Sequence, residues 1–224
     1  MKAKKTDPAT IDYEKELVRK SIHLTSLLIC FIYYYVSSEF ALQVLIPVTS
    51  IVILVDLLRY YYEPFSRLFY QIFGPLLRQH ETDTKKKNLN GASYVLIAVT
   101  LSVLIFPKAF VIPAIAVLIL GDISAALIGR RYGKHKFLAK SLEGTIAFFI
   151  TGCIVILFSP KIGIGIKEYL IGFVAVAFGA IAENISFGWM DDNFTIPITI
   201  CIVMSVLFYF FLPGITIALP NVPN

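Results

Sequence analysis

The chain has 224 residues, of which 57% are hydrophobic, and its mean hydropathy is +0.76. Soluble domains are about half apolar, so this composition excludes an ordinary soluble domain and indicates a polytopic membrane protein. The net charge of +5 does not favour a nucleic-acid partner, because the distribution of the basic residues along a membrane chain carries more information than their sum.

Seven apolar runs are each about long enough to cross the roughly 30 Å hydrocarbon core as a helix. They cover residues 22–36, 40–58, 92–106, 110–128, 144–158, 169–187 and 194–212. A β-barrel would need alternating polar residues, which these runs lack. The sequence therefore predicts an all-α bundle of about seven transmembrane helices. We expect one catalytic domain over residues 16–214, between a tail at 1–15 and a tail at 215–224.

Lysine and arginine lie almost entirely on one side of these predicted spans. Seventeen of them fall in the N-terminal segment and in the loops that follow the second and fourth runs. The opposite side has only Lys108, Lys161 and Lys167. The positive-inside rule then predicts a cytoplasmic N-terminus. With seven crossings, the C-terminus would lie outside.

Residues 60–80 form neither a span nor a free loop. Their apolar residues recur at helical spacing: Phe65, Leu68, Phe69, Ile72, Phe73, Leu76 and Leu77. This pattern predicts an amphipathic helix in the cytoplasmic interface. The polar residues 81–90 are expected to form a solvated loop.

Polar residues at span depth gather at the predicted cytoplasmic side. A charge at the centre of a span costs about 2.5–3.5 kcal/mol on insertion scales, so such residues usually have a function. The carboxylates are Asp122, Glu183, Asp191 and Asp192, and the basic residues are Arg19, Lys20, Arg130, Lys134 and Lys140, with His23 and Asn90 on the same side. Such a cluster can hold Mg²⁺, or another divalent cation, together with a polyphosphate.

The stretch 120–144 links an acidic span to a basic loop punctuated by glycine. Gly129 and Gly144 would let the backbone approach a phosphate, and Ser141 could cap the next helix, whose N-terminus favours an anion. Each feature alone has a simpler interpretation. The basic loop satisfies the positive-inside rule, Asp191 and Asp192 can form a turn before a helix, and Asp56 with Arg59 reads as an i,i+3 ion pair.

Five blocks of the sequence resemble the CTP-transferase-like membrane family. They are Glu16-Leu-Val-Arg19-Lys20-Ser-Ile-His23, Asn90-Gly91, Gly121-Asp122-Ile-Ser-Ala-Ala-Leu-Ile-Gly129-Arg130, Lys140-Ser141-Leu-Glu143-Gly144-Thr145 and Asp191-Asp192-Asn193-Phe-Thr-Ile-Pro197. The family includes dolichol, phytol and farnesol kinases, the fungal CTP-dependent diacylglycerol kinase and, more distantly, phosphatidate cytidylyltransferase. The fungal diacylglycerol kinase is the most similar in these motifs.

The resemblance implies a cytidine nucleotide as phosphoryl donor and a membrane lipid alcohol as acceptor. It also implies functional roles for Arg19, Lys20, Asp122 and Gly129. Diacylglycerol, giving phosphatidate, is the expected acceptor. Glu143, however, resembles the corresponding residue of the isoprenoid-alcohol kinases, so dolichol, a polyprenol or phytol stays an alternative acceptor.

On this basis we expect a CTP-dependent lipid kinase whose site faces the cytoplasm. Asp122 and Asp192 would hold Mg²⁺, with Glu183 and Asp191 in support. Arg19 and Lys20 would neutralise the transferring phosphate, and His23 or Glu183 would accept the hydroxyl proton. The expected nucleotide site comprises Asn90, Gly129, Arg130, Lys134, Lys140, Ser141, Glu143 and Gly144.

Two other functions use the same features. Cytidylyl transfer to phosphatidate would need the same ions but would release pyrophosphate. A membrane transporter would use the intramembrane acids as a cation path. The transporter predicts polar residues on both sides of the bilayer and an inverted repeat, and the sequence shows neither.

Overall fold

The computed structural model describes residues 13–77, 81–82, 87–186 and 191–223. Several basic residues used for the predicted orientation lie outside these ranges, namely Lys2, Lys4, Lys5, Arg78, Lys85 and Lys86. The ends of the predicted segments 60–80 and 169–187 also lie outside the described residues.

Each of the seven apolar runs is helical, which confirms the predicted all-α architecture of the described residues apart from one short hairpin. The first run is divided at Ser26, where the backbone amide bonds three residues back to His23. The helices are α1 (Tyr13–Thr25), α2 (Leu27–Tyr35), α3 (Ser38–Tyr61), α4 (Glu63–Phe73), α5 (Gly91–Ile105), α6 (Lys108–Tyr132), α7 (Leu142–Phe158), α8 (Ile166–Ile185) and α9 (Asp192–Phe211).

Five helical segments of the described chain are long and apolar enough to cross a membrane: Glu16–Tyr35, Ser38–Tyr61, Lys108–Tyr132, Ile166–Ile185 and Asp192–Phe211. The helices α5 and α7, which correspond to the third and fifth predicted spans, are apolar but shorter. Many large apolar side chains face outward, among them Phe31, Ile51 and Phe158. An outward apolar surface of this extent is expected where lipid replaces water as the solvent.

The predicted amphipathic segment contains α4, which has Pro64 in its first turn and continues into a short 3₁₀ turn at Gly74–Leu76. Tyr62 is extended and separates α4 from α3. On α4, Phe69 is buried while Leu68 and Ile72 are exposed. The helix therefore presents one aromatic face to the protein and leaves further apolar side chains uncovered.

The helix α6 forms the centre of the bundle. It packs against α7 and α9 and also contacts α1 and α2. Val111, Ala114, Ile115, Val117 and Leu118 on this helix have no exposed surface. The helix α8 packs on α7 and α9, and α3 packs on α5 and α4. Because α6 is buried along most of its length, its polar residue Asp122 is held in a rigid setting.

The basic segment after the fourth run differs from the predicted loop. The helix α6 continues to Tyr132, and the chain then forms a hairpin of two short antiparallel strands, β1 (Lys136–Phe137) and β2 (Lys140–Ser141). Lys136 pairs with Ser141, and Phe137 pairs with Lys140. Strands of two residues carry no alternating pattern, so periodicity in the sequence could not predict them.

Candidate active site

Three buried carboxylates from three different helices meet at one end of the bundle. Asp122 comes from α6, Glu183 from the last turns of α8 and Asp192 from the first turn of α9. One oxygen from each carboxylate lies within 4.8 Å of the others. Asp191 caps α9, because its Oδ1 accepts a hydrogen bond from Asn193 N at 2.9 Å. The cap fixes the start of α9 and therefore the position of Asp192.

Two lysines contact these carboxylates. The Lys20 ammonium group, from α1, donates to Asp122 Oδ2. Lys140 Nζ lies 2.5 Å from Glu183 Oε1 and 3.2 Å from Asp192 Oδ2. Burial disfavours the charged form of Lys140, but the carboxylates of Asp192 and Glu183 outweigh burial and raise the pKa of the ammonium group. Lys140 is therefore a cation at neutral pH.

A fully buried glutamate, Glu16, organises the basic wall of the site. Its Oε1 lies 2.7 Å from Arg19 Nη2 and 3.8 Å from Lys20 Nζ. Its Oε2 lies 3.2 Å from Arg130 Nη2 at the other side. Glu16 was not predicted as a site residue, although its spacing of three and four residues from Arg19 and Lys20 was the available signal.

Asn184 holds the hairpin against α8. Its Oδ1 accepts hydrogen bonds from the backbone N–H groups of Ala139 at 2.9 Å and Lys140 at 3.1 Å. Its Nδ2 donates to Thr145 Oγ1 on α7 at 2.6 Å. Asn184 was also missed from the sequence. Its signal was an amide within an apolar run, next to Glu183.

These groups surround a cavity of about 450 Å³. Eleven of the residues predicted for the site line it: Arg19, Lys20, Asp122, Gly129, Arg130, Lys140, Ser141, Gly144, Glu183, Asp191 and Asp192. Glu16, Thr145 and Ser186 also line it. The structure thus brings together residues from α1, α6, the hairpin, α7, α8 and α9 around one space.

Four predicted residues are not among those that line this cavity. Lys134 is exposed. Glu143 faces His135 instead, with Oε1 lying 2.8 Å from His135 Nδ1. Asn90 caps α5 by accepting a hydrogen bond from Ser93 N at 2.9 Å. His23 Nε2 lies 3.6 Å from Asp122 Oδ2, and both His23 and Asn90 line a neighbouring cavity.

Ser141 and two glycines define the wall formed by α6 and α7. Ser141 Oγ accepts a hydrogen bond from Gly144 N at 3.2 Å and so caps α7, as predicted. A Cβ atom on Gly129 would lie 2.8 Å from Ser141 Oγ, and one on Gly144 would lie 2.9 Å from Ala125 O. The two glycines therefore permit a close crossing of α6 and α7 beside the cavity.

The predicted ion pair between Asp56 and Arg59 is present, at 2.8 Å. Both residues are buried within the protein. Asp56 Oδ2 also accepts hydrogen bonds from Asn90 N at 2.7 Å and Ser93 Oγ at 2.8 Å. Asp56 therefore connects α3 to the start of α5.

The donor set around Asp122 fits a divalent cation. Hard cations such as Mg²⁺ take oxygen ligands, usually one or two carboxylates completed by phosphate oxygens and water. Three carboxylates converge here, and within the described part of the chain the buried Glu183 Oε2 has no hydrogen-bond partner. A buried, unpartnered oxygen on a member of an acidic cluster is suited to a metal or to a protonated group.

The chain is similar to fungal proteins named CTP-dependent diacylglycerol kinase 1. It is 27% identical to the one from Schizosaccharomyces pombe, over 68% of this chain and 74% of that protein. It is 29% identical to the one from Saccharomyces cerevisiae, over 86% of this chain and 73% of that protein. These similarities confirm the resemblance to that family that the five sequence motifs indicated.

Similarity extends to a bacterial protein of comparable length. An uncharacterized protein of Rickettsia prowazekii is 25% identical over 89% of this chain and 98% of its own length. No family model matches the chain, and no solved structure matches it.

Proposed function

We propose that this protein is a CTP-dependent lipid kinase. It transfers the γ-phosphoryl group of CTP to the hydroxyl of a membrane lipid alcohol, and we take diacylglycerol, giving phosphatidate, as that alcohol. The observation that carries the proposal is the meeting of Asp122, Glu183 and Asp192 with Lys20 and Lys140 around one cavity. The similarity to CTP-dependent diacylglycerol kinases supports the nucleotide and the acceptor.

The proposed topology has about seven spans, with the N-terminus and the site in the cytoplasm. It is supported by the excess of lysine and arginine on one side of the predicted spans. The cavity is lined by Arg19, Arg130 and Lys140 of these basic segments. A water-soluble triphosphate would therefore reach the site from the aqueous phase on the basic side.

Asp122, Asp192 and Glu183 would hold a divalent cation, with Asp191 supporting them through the cap of α9. A cation held by these residues would supply positive charge that neutralises the phosphate oxygens. Arg130 and Lys140 supply fixed positive charge to the triphosphate. The N-terminus of α7, with Ser141 as its cap, presents backbone N–H groups to an anion.

Arg19 and Lys20 would stabilise the charge that develops on the transferring phosphoryl group. A new bond forms between the lipid oxygen and the γ-phosphorus, while the bond from that phosphorus to the bridging β,γ-oxygen breaks and CDP leaves. The hydroxyl proton passes to a base, for which His23 and Glu183 are the two candidates. Glu16 keeps Arg19, Lys20 and Arg130 in position throughout.

The decisive experiment uses the purified protein in lipid nanodiscs with CTP labelled at either the α- or the γ-phosphate. The acceptors are diacylglycerol, phytol and a long polyprenol, with ATP as the comparison donor. We expect γ-label in phosphatidate, dependent on Mg²⁺. Preferential labelling of a prenol would instead assign an isoprenoid-alcohol kinase. With phosphatidate as the substrate, α-label in the lipid and γ-label in pyrophosphate would assign a cytidylyltransferase.

A further inference from the structure

A second cavity, of about 530 Å³, lies next to the first. Its lining is mostly apolar and comes chiefly from α1, α2, α3, α4 with its 3₁₀ turn, and α5, with single residues from α6 and α9. Representative members are Ile29, Val52, Val55, Phe69, Leu77 and Val95. Cavities of about 300–1,000 Å³ with apolar walls and a few polar groups are the usual form of a small-molecule site.

The two cavities share one wall. Arg19, Lys20 and Asp122 line both of them. His23 lines only the second, with Nε2 at 3.6 Å from Asp122 Oδ2. A hydroxyl at this end of the apolar cavity would therefore lie directly beside the space assigned to the nucleotide phosphates. Phosphoryl transfer requires that proximity between acceptor and donor.

The second cavity lies between two groups of helices that could cross the membrane. On one side α2 packs on α6, and on the other α3 packs on α5 and α4. Ile29 belongs to the apolar segment Glu16–Tyr35, and Val52 and Val55 belong to Ser38–Tyr61. The apolar part of the cavity is thus lined by helices long and apolar enough to cross a membrane, while its polar end reaches Asp122.

The polar groups of this cavity distinguish one kind of lipid from another. Ser26 and Asn90 line it and offer a hydroxyl and an amide as hydrogen-bond donors. The ester carbonyls of a diacylglycerol can accept such bonds, whereas a prenol has no polar group besides its hydroxyl. The lining therefore matches a glycerolipid better than an isoprenoid alcohol.

We propose that the second cavity binds diacylglycerol, with its free hydroxyl at Asp122 and its ester groups near Ser26 and Asn90. The first segments of the acyl chains lie among Val52, Val55 and Val95, and the chains continue between α2 and α3 into the bilayer. This assignment rests on the proposed kinase function and adds the place where its acceptor binds.

The test is photolabelling of the full-length protein in nanodiscs with a diacylglycerol that carries a diazirine near the ester end of one acyl chain. We expect labelled peptides to map to α2, α3 and α5 at the cavity, and unlabelled diacylglycerol to compete. Labels found only on outward-facing residues would overturn the proposal. Better competition by a polyprenol than by diacylglycerol would overturn the choice of lipid.

Two neighbouring residues of α3 give a matched pair of variants. Val55 lines the cavity, whereas Leu54 is 58% exposed on the outer face. Val55→Trp should lower photolabelling and kcat/KM for diacylglycerol by about tenfold, because the indole ring would occupy space in the cavity that the acyl chain needs. Leu54→Trp should leave both near the wild-type values. Equal effects of the two variants would contradict the assignment.

Measuring nucleotide binding tests this proposal separately from the proposed kinase function. Binding of a fluorescent CTP analogue should be unchanged in both variants, since neither residue lines the first cavity. If Val55→Trp does not fold, Val52→Trp replaces it, and the wild-type labelling pattern is independent of both. Displaceable labelling of the cavity without any phosphoryl transfer would overturn the kinase function and retain the lipid site.

Discussion

Asp56 and Asp122 are two buried carboxylates that the sequence presents in similar ways. Each lies in an apolar run near the predicted cytoplasmic side, and each has a cation within contact distance. Their side chains are almost equally inaccessible, since Asp56 is 1% and Asp122 is 4% exposed. Burial and an ion pair therefore do not tell the two acids apart.

Their partners do. Asp56 pairs with Arg59, one turn away on the same helix, and accepts hydrogen bonds from Asn90 and Ser93 at the start of α5. Asp122 pairs with Lys20, which is 102 residues away in the sequence, and faces a cavity with Glu183 and Asp192. An acid whose partners hold a helix end is structural, and an acid that meets other acids across a cavity is suited to chemistry.

The largest expected effect is that of Asp122→Asn. Phosphoryl transfer should fall on the order of 10³-fold, as with the loss of a charged group at a transition state, or about 4 kcal/mol. The fold should survive, because Lys20 Nζ still has Glu16 Oε1 at 3.8 Å. The measurements are γ-label transfer and thermal unfolding. Transfer at the wild-type rate would refute the role of Asp122 in catalysis.

Asp56→Asn should show the opposite pattern. The buried guanidinium of Arg59 would lose its counter-charge, so the free energy of unfolding should fall by about 3 kcal/mol. Transfer per folded molecule should stay near that of wild type. Glu63→Gln is the control, because the Glu63–Arg67 pair has side chains 77–79% exposed and should contribute less than about 1 kcal/mol. Loss of activity without loss of stability would place Asp56 in the site.

The smallest effect is expected for Asn184→Ala, which removes the acceptor for the N–H groups of Ala139 and Lys140. Lys140 would be held less firmly, so kcat/KM for CTP should fall by about tenfold. The KM for the lipid should change little, since Asn184 does not line the second cavity. Asn184→Asp keeps an acceptor oxygen and should recover part of the loss. A fall in stability with unchanged kinetics would limit Asn184 to a structural role.

The helices were predictable because apolar runs of this length have few alternatives in a membrane chain. The convergence of Asp122, Glu183 and Asp192 was also predictable, since Asp122 and Glu183 lie near the predicted cytoplasmic ends of their runs and Asp192 lies just before the predicted cytoplasmic start of the last run. The break at Ser26, where the backbone amide donates to His23 O, was not predictable, because no proline or glycine marks it in the sequence.

Membership of the same sequence motif was a weaker guide to where a side chain points. Glu143 lies in the same block as Ser141 and Gly144, yet it contacts His135 while the other two line the first cavity. Asn90 begins a block of its own and faces the second cavity. Neighbours in a block can point to opposite sides of a helix start, and only the three-dimensional placement of the hairpin decides which side faces the nucleotide space.

The short helices α5 and α7 have a consequence for the thickness of the protein at this site. With 15 and 17 residues, they span about 22 Å and about 26 Å at 1.5 Å per residue, less than the roughly 30 Å hydrocarbon layer. Their N-cap residues line the cavities: Asn90 of α5 lines the second, and Ser141 of α7 lines the first. We infer that the proposed reaction centre is recessed below the membrane surface, because the shorter helices would leave their starts within the hydrocarbon layer. A lipid hydroxyl would reach such a centre without leaving the bilayer. The nucleotide phosphates would enter it from the aqueous side, into a region whose low dielectric constant strengthens the interactions between charges.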